Sequence, residues 1–226
     1  MPLSRTQRLI CLVTDRRRIA ASAQPVDLVD FVGAAARMGV DLIQIRERDL
    51  EARELTGLVK QCLAAAKGTP ARIVVNERGD VALAAGAHGV HLRSDSIEAP
   101  RIRELLPPDF IVGRSVHGVE EASAAARSGG LDYLILGTLF PTQSKDPSHR
   151  LTTMTGLAAV CALISIPVLA IGGITVARAE DIARTGAAGI AAIGLFVPQA
   201  GVPTDDHLQA RVTDLRRVFD TCRAVP

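Results

Sequence analysis

The chain has 226 residues, 26 basic against 24 acidic side chains, and one Tyr, five Phe and no Trp. Nearly balanced charge leaves no basic field for a polyanion, and so few aromatics leave neither a base-stacking platform nor an interfacial belt, so nucleic acid and membrane are not expected partners. The four cysteines, Cys11, Cys62, Cys161 and Cys222, are far apart and form no C-x-x-C pair, which argues against a disulfide framework or a zinc site.

Along the chain, short apolar runs alternate with amphipathic stretches. Strands are expected at Leu9–Thr14, Leu42–Arg46, Ile73–Asn76, Gly89–Leu92, Ile111–Ser115, Tyr133–Leu136, Val168–Ile171 and Ile190–Ile193. They are brief, β-branched and apolar on both faces, as central parallel strands are. Helices are expected between them at Val26–Met38, Ala52–Ala66, Gly79–Ala85, Ile97–Leu106, Glu120–Ser128, Thr155–Leu163 and Val176–Thr185, and after the last strand at Asp206–Ala224. Gly39 and Gly186 follow helices where a left-handed cap favours glycine, and Asp49 and Thr175 are candidate N-caps.

Eight such units predict a (β/α)₈ TIM barrel in one domain over residues 1–226, with the barrel at about 9–222 and a short lead at 1–8. The rival is an open doubly wound sheet, which the missing Gly-x-Gly-x-x-Gly after the first strand disfavours. The lead has two arginines and no apolar signal-peptide core, so a cytoplasmic chain is expected.

In this fold the chemistry sits at the C-terminal strand ends. Strand two runs into Gln44-Ile45-Arg46-Glu47-Arg48, and alternation sends Gln44, Arg46 and Arg48 to one side, toward the barrel mouth. Two guanidiniums there suit a phosphate; the alternative is a surface ion pair with Glu47. Strand three ends in Asn76-Glu77-Arg78 and strand four in His91-Leu92-Arg93-Ser94-Asp95-Ser96. Their carboxylates suit either Mg²⁺ or helix capping, and His91, inside an apolar run, reads as a core histidine. Strand five places Ser115 and His117 on one face. The longest polar loop carries Thr142, Ser144 and Lys145, two hydroxyls and a cation fit to clamp a phosphate or diphosphate. Glycines at Gly172-Gly173 and Gly194, after strands seven and eight, mark either a phosphate site or tight turns.

Taken together, Gln44 to Arg48, Val75-Asn76, Gly86 to Leu92, Gly113 to His117, Phe140 to Lys145 and Ala170 to Ile174 resemble the thiamine phosphate synthase / thiazole tautomerase (TenI-like) superfamily, in order and spacing, from about Leu9 to Phe196. The resemblance implies a thiamine biosynthesis enzyme. One branch is a transferase that joins an aminopyrimidine diphosphate to a thiazole phosphate with the help of Mg²⁺. The other is an isomerase that tautomerises a thiazole phosphate carboxylate without metal. It also implies phosphorylated pyrimidine and thiazole partners and a homodimer. By position, Gln44, Arg46 and Asn76 would meet the pyrimidine diphosphate, and Ser115, Thr142, Ser144 and Lys145 its diphosphate and the thiazole side. Gly173, Ile193 and Gly194 would hold the thiazole phosphate.

The chain also departs from the superfamily's patterns. Arg48 stands where the synthases have lysine, Glu77 where they have aspartate, and Ser96 where they have a second metal-binding aspartate; Asp95 is the nearest substitute. The tautomerase histidine falls on Thr138, which does not titrate near neutral pH, and His117 is the candidate replacement. The expectation is a synthase with Lys145, Ser115, Arg46 and Arg48 as its catalytic groups and Glu77 and Asp95 as metal ligands. The alternatives are a tautomerase and a non-catalytic binder of thiazole or thiamine phosphate.

Overall fold

The computed structural model describes residues 3, 7–19, 25–142, 151–197 and 205–222. Eight parallel strands, β1 (Leu9–Val13), β2 (Leu42–Ile45), β3 (Arg72–Asn76), β4 (Gly89–Leu92), β5 (Ile111–Val116), β6 (Tyr133–Gly137), β7 (Val168–Ile171) and β8 (Gly189–Ala192), pair in chain order. The last returns to the first, with Leu9 opposite Gly189, so the sheet is a closed barrel and not an open one. Around it run α1 (Arg16–Ile19), α2 (Pro25–Arg37), α3 (Ala52–Ala65), α4 (Gly79–Ala85), α5 (Ala99–Arg103), α6 (Val119–Ser128), α7 (Met154–Leu163), α8 (Val176–Arg184) and α9 (Asp205–Thr221).

Thr175 occupies the N-cap position of α8, but its side chain makes no capping bond. Three other local features differ from the sequence expectation, each for a physical reason. The four-residue α1 is too short to show a helical period. The expected helix over 97–106 shrinks to α5, since Pro100 fits only its first turn and Leu105, 73% exposed, has no apolar surface to pack on. Asp49 caps nothing: α3 starts at Ala52 after Glu51, and Asp49 instead accepts two bonds from Arg16, at 2.7 and 2.6 Å. Gly39 and Gly186 do take left-handed φ values, 94° and 87°.

Side-chain alternation sorts the strands into two cores. Leu9, Cys11, Val13, Leu42, Val74, Ile111, Tyr133, Ile135, Leu169 and Ala191 fill the barrel. Their neighbours, such as Ile10, Leu12, Ile43, Val75, Val112 and Leu134, pack under the helices. Among the cysteines, burial pushes the Cys62 thiol up to about 12 and raises Cys11 further, so both behave as small apolar groups.

The barrel interior is too narrow for large side chains on adjacent strands at one level, and glycine supplies the room. Gly89 faces Ile111, Gly113 faces Tyr133, Gly137 faces Ile171, and Gly189 faces Leu9. A Cβ on Gly113 would lie 2.0 Å from the Tyr133 ring. Through that gap Tyr133 reaches across β5 to His91 on β4, with its hydroxyl 3.0 Å from Nδ1. On its other side His91 Nε2 meets Ser115 Oγ at 2.9 Å. His91 is 2% exposed, and burial, then the charge of Arg46, pulls its pKa down to about 3, so the ring is neutral at ordinary pH.

Two outcomes are expected. Gly113→Ala forces the tyrosine ring aside and lowers stability by about 1–3 kcal/mol, read as a lower urea midpoint at unchanged slope; an unchanged midpoint contradicts the packing described. The second concerns acid. Because the folded His91 pKa lies below its unfolded value, the unfolded chain binds the extra proton between about pH 6.5 and pH 3. His91 therefore contributes stability that is complete above that window and falls with pH by up to about 1.4 kcal/mol per unit within it. Urea titrations at several pH values should show a shallower acid limb for His91→Asn, and parallel limbs would contradict a neutral buried ring.

Candidate active site

The same parity that fills the barrel continues beyond the strand ends, and there the residues turn polar. Gln44 is buried, Arg46 half-buried and Arg48 exposed, which makes one column of rising hydration on β2 and its loop. Beside it stand Asn76 after Val74 on β3, Arg93 after His91 on β4, and His117 after Ser115 on β5. These residues, with Thr138, Thr142, Ile171, Gly172 and Ile193, line one narrow cavity of about 120 Å³ at the barrel mouth. Its volume suits a planar ring, with charged groups of a ligand lying at the rim.

The floor of this cavity is polar and uncharged. His91 holds Ser115 from below, and a His91 ring that accepts from Tyr133 and donates to Ser115 leaves the serine hydroxyl free to donate into the cavity. Beside them, Gln44 Nε2 is buried with no hydrogen-bond partner among the described residues. Leaving such a donor unpaired costs about 1–3 kcal/mol, a cost that a ligand acceptor would relieve. His117 Nδ1 stands 2.6 Å from the Gly137 carbonyl. A carbonyl only accepts, so Nδ1 carries the proton and, in the neutral ring, Nε2 holds the basic lone pair.

The rim is cationic. Among the described residues neither Arg46 nor Arg48 has a carboxylate within 4 Å. Burial, and after it the charge of Arg48, lowers the Arg46 pKa from its ordinary value. The surface ion pair with Glu47, offered above as the alternative for these arginines, is not formed. Glu47 turns the other way and is 5% exposed; it accepts from Thr14 Oγ1 at 2.7 Å and pairs with Arg16 at 3.1 Å. Burial raises its pKa, and those bonds oppose the shift.

A second, wider cavity of about 700 Å³ opens beside the first and shares Thr142, Ile171, Gly172 and Ile193 with it. Gly173 and Gly194 line it, as do Arg18 and Arg178. Gly172 and Gly173 take φ values of 104° and 59°, and a Cβ on Gly173 would lie 2.5 Å from the Pro141 carbonyl oxygen, so the turn admits only glycine. At Gly194 a Cβ would lie 2.9 Å from Arg18 Nη2, so the bare backbone lets that guanidinium in. Arg178 stacks on the Phe140 ring at 4.1 Å and donates to the Gly173 carbonyl at 2.6 Å. A cup of glycine turns flanked by two guanidiniums suits a phosphate.

Of the expected site residues, Gln44, Arg46, Arg48, Asn76, Ser115, His117, Thr142 and Ile193 converge on the inner cavity, and Thr142, Gly173, Ile193 and Gly194 on the cup. Ser144 and Lys145 lie outside the described residues. Arg18 and Arg178 escaped the sequence reading because they sit on helices, where an arginine carries no distinguishing pattern. His91, read as a core histidine, is buried and also forms part of the cavity wall.

The two proposed metal ligands are arranged differently from the expectation. Glu77 Oε1 accepts from the Ser96 hydroxyl, and Oε2 accepts from Arg93 N at 3.3 Å and faces Arg93 Nε at 3.8 Å. Asp95 Oδ2 lies 2.5 Å from Arg93 Nη2. A one-residue shift that would replace Ser96 with Asp95 is blocked by the buried Arg114, which clamps the carbonyls of Ser94, Ser96 and Ile97 at 2.9, 3.0 and 3.0 Å. Mg²⁺ wants free hard oxygens in an octahedron. A carboxylate engaged by a hydroxyl, with a guanidinium beside it, does not fit that demand, and no group of three or more metal-ligating side chains occurs among the described residues.

Comparison with known proteins gives the family. The family described as thiamine monophosphate synthase matches residues 10–196. A thiamine-phosphate synthase from Roseiflexus castenholzii is 38% identical over 95% of this chain and 91% of its own length. The one from Chlorobium luteolum is 36% identical over 96% and 95%. The solved thiamine phosphate pyrophosphorylase of Pyrococcus furiosus superposes with a TM-score of 0.79 at 30% identity, covering 96% of this chain and 97% of that one. With both its profile and nearly its whole length matched, the chain belongs to the thiamine monophosphate synthase family.

Proposed function

We propose that this protein is a thiamine-phosphate synthase. The carbon–oxygen bond of a pyrimidine methyl diphosphate breaks, pyrophosphate leaves, and the nitrogen of a thiazole phosphate bonds to the exposed carbon. The observation that carries the reading is the Gln44 amide, unpaired among the described residues, on the floor of a ring-sized cavity whose rim holds Arg46 and Arg48, neither with a carboxylate within 4 Å among those residues. A ring nitrogen or ring substituent of the pyrimidine accepts from Gln44, while Arg46 and Arg48 take the diphosphate as its charge grows. The adjoining cup supports binding of the thiazole phosphate, and its wall shared with the inner cavity brings the two reactants side by side.

In this reading Ser115, aligned by His91, donates to the leaving oxygen, and Asn76 and Thr142 border the ligand. Ser144 and Lys145 take the roles that the family resemblance gives them, beside the diphosphate. No step is assigned to Mg²⁺. Thr138, at the position of the tautomerase histidine, lines the same cavity and brings no titrating group, so a tautomerase here would have to use His117. Incubation with pyrimidine diphosphate and thiazole phosphate should release pyrophosphate, whereas the thiazole phosphate carboxylate alone should go unchanged. Conversion of the latter alone would support the tautomerase, and no product from either would support a binding protein.

Two variants sharpen this reading. Gln44→Met removes the unpaired donor and should raise the stability of the free protein by about 1 kcal/mol, while weakening the pyrimidine substrate at least about tenfold. Stability and affinity moving together would contradict the role assigned. Lys145→Ala should reduce turnover by at least about a hundredfold, with a full rate refuting its place at the diphosphate.

A further inference from the structure

At the edge of the inner cavity, where β3 and β4 give way to their loops, a guanidinium already lies where two carboxylates would look for a cation. Arg93 faces Glu77 through Nε at 3.8 Å and Asp95 through Nη2 at 2.5 Å. It also lines the cavity together with Arg46 and Arg48. Glu77 takes a left-handed backbone, φ 66°, the one non-glycine residue to do so among those described. Such a conformation persists only when its surroundings hold it. Here the turn brings the carboxylate to the Ser96 hydroxyl and the Arg93 amide, and Ser96 Oγ itself accepts from that amide at 2.9 Å. Arg114 fixes the loop from beneath.

We propose that Arg93 is the resident cation of this corner, and that the protein binds a diphosphate through Arg46, Arg48 and Arg93 without a divalent metal bridging the ligand to Glu77. The inference rests on the reading of the inner cavity as a diphosphate site and goes beyond it by naming what neutralises the ligand. A divalent cation at Glu77 would have to displace the Ser96 hydroxyl or the Arg93 amide from the carboxylate and stand beside the Arg93 charge. The guanidinium, by contrast, keeps five donors in a planar fork, and two carboxylates in front of it leave donors for an oxyanion. Glu77 and Asp95 then serve to aim Arg93, and the hydroxyl of Ser96 completes the Glu77 carboxylate without adding a charge.

The test is calorimetric binding of inorganic pyrophosphate to the intact protein, once with Mg²⁺ and once with EDTA. The expected result is an affinity in EDTA within about threefold of that in Mg²⁺, and at least a tenfold loss in EDTA for Arg93→Gln, with Arg93→Lys between the two. Thermal unfolding of both variants at the parent temperature shows that the loss is local. Pyrophosphate that binds only in Mg²⁺, or an Arg93→Gln affinity equal to the parent's in EDTA, overturns the inference and leaves the diphosphate site standing. Pyrophosphate that binds under neither condition overturns the diphosphate site itself and the inference with it.

Discussion

In a closed ring of parallel strands every second side chain points inward, and eight inward side chains must share a space that admits only some of them at full size. The pairing of glycine with a large neighbour, Gly113 with Tyr133, Gly89 with Ile111 and Gly189 with Leu9, meets that limit. It also gives the interior a polar spine: Tyr133 passes over Gly113 to His91, and His91 passes the contact upward to Ser115. The position of Ser115 at the cavity wall is thus set two residues earlier on its own strand, by a missing Cβ at Gly113. The columns of β2 and β3 follow the same parity, so the packing that builds the core also decides which residues face a ligand.

Much of this was legible in the sequence because alternation is a local rule. Gln44, Arg46 and Arg48 differ by two positions, as do Ser115 and His117, and a strand that ends at a barrel mouth sends such residues to one place. The glycines at 172, 173 and 194 were equally plain, since the strand order alone puts β7 and β8 side by side. What stayed hidden depended on distance in the chain. Glu47, between two cavity arginines in sequence, leaves the site because Thr14 and Arg16, more than thirty positions earlier, offer it a buried pocket. Arg18 and Arg178 enter the site from helices, and only the folded barrel brings them to Gly194 and Gly173. The role of Arg93 was invisible for a similar reason: its partner Glu77 lies on another strand's loop, in a backbone conformation that no propensity favours.

The residues that look weakest by the family's pattern form a consistent set. Serine where the synthases have aspartate leaves one acidic group fewer at position 96, and Arg93 stands beside it at the cavity edge. Lysine replaced by arginine at 48 exchanges a compact ammonium for a fork that binds two oxyanion oxygens at once. Under the proposed function, both departures suit a diphosphate neutralised by fixed guanidiniums. A metal brings its charge along with its ligand, whereas guanidiniums are present before the ligand arrives. Burial, and after it the charge of Arg48, lowers the Arg46 pKa, so this rim already holds its positive charge against a cost.

Under the proposed reaction, the division between a charged rim and a neutral floor has a chemical purpose. Bond cleavage creates two opposite charges at once, negative on the departing diphosphate and positive on the pyrimidine carbon. Cationic groups spread evenly over the cavity would stabilise the first and penalise the second. Here the guanidiniums stand at the rim, while the floor beneath the ring carries an amide, a hydroxyl and an imidazole kept uncharged by burial. A protonated His91 would place a positive charge under the forming cation and leave both ring nitrogens as donors, with no acceptor for Tyr133 or Ser115. The depth that makes His91 hard to protonate is therefore part of the electrostatics of the site, and the glycine that admits Tyr133 to that depth belongs to it as much as the arginines do.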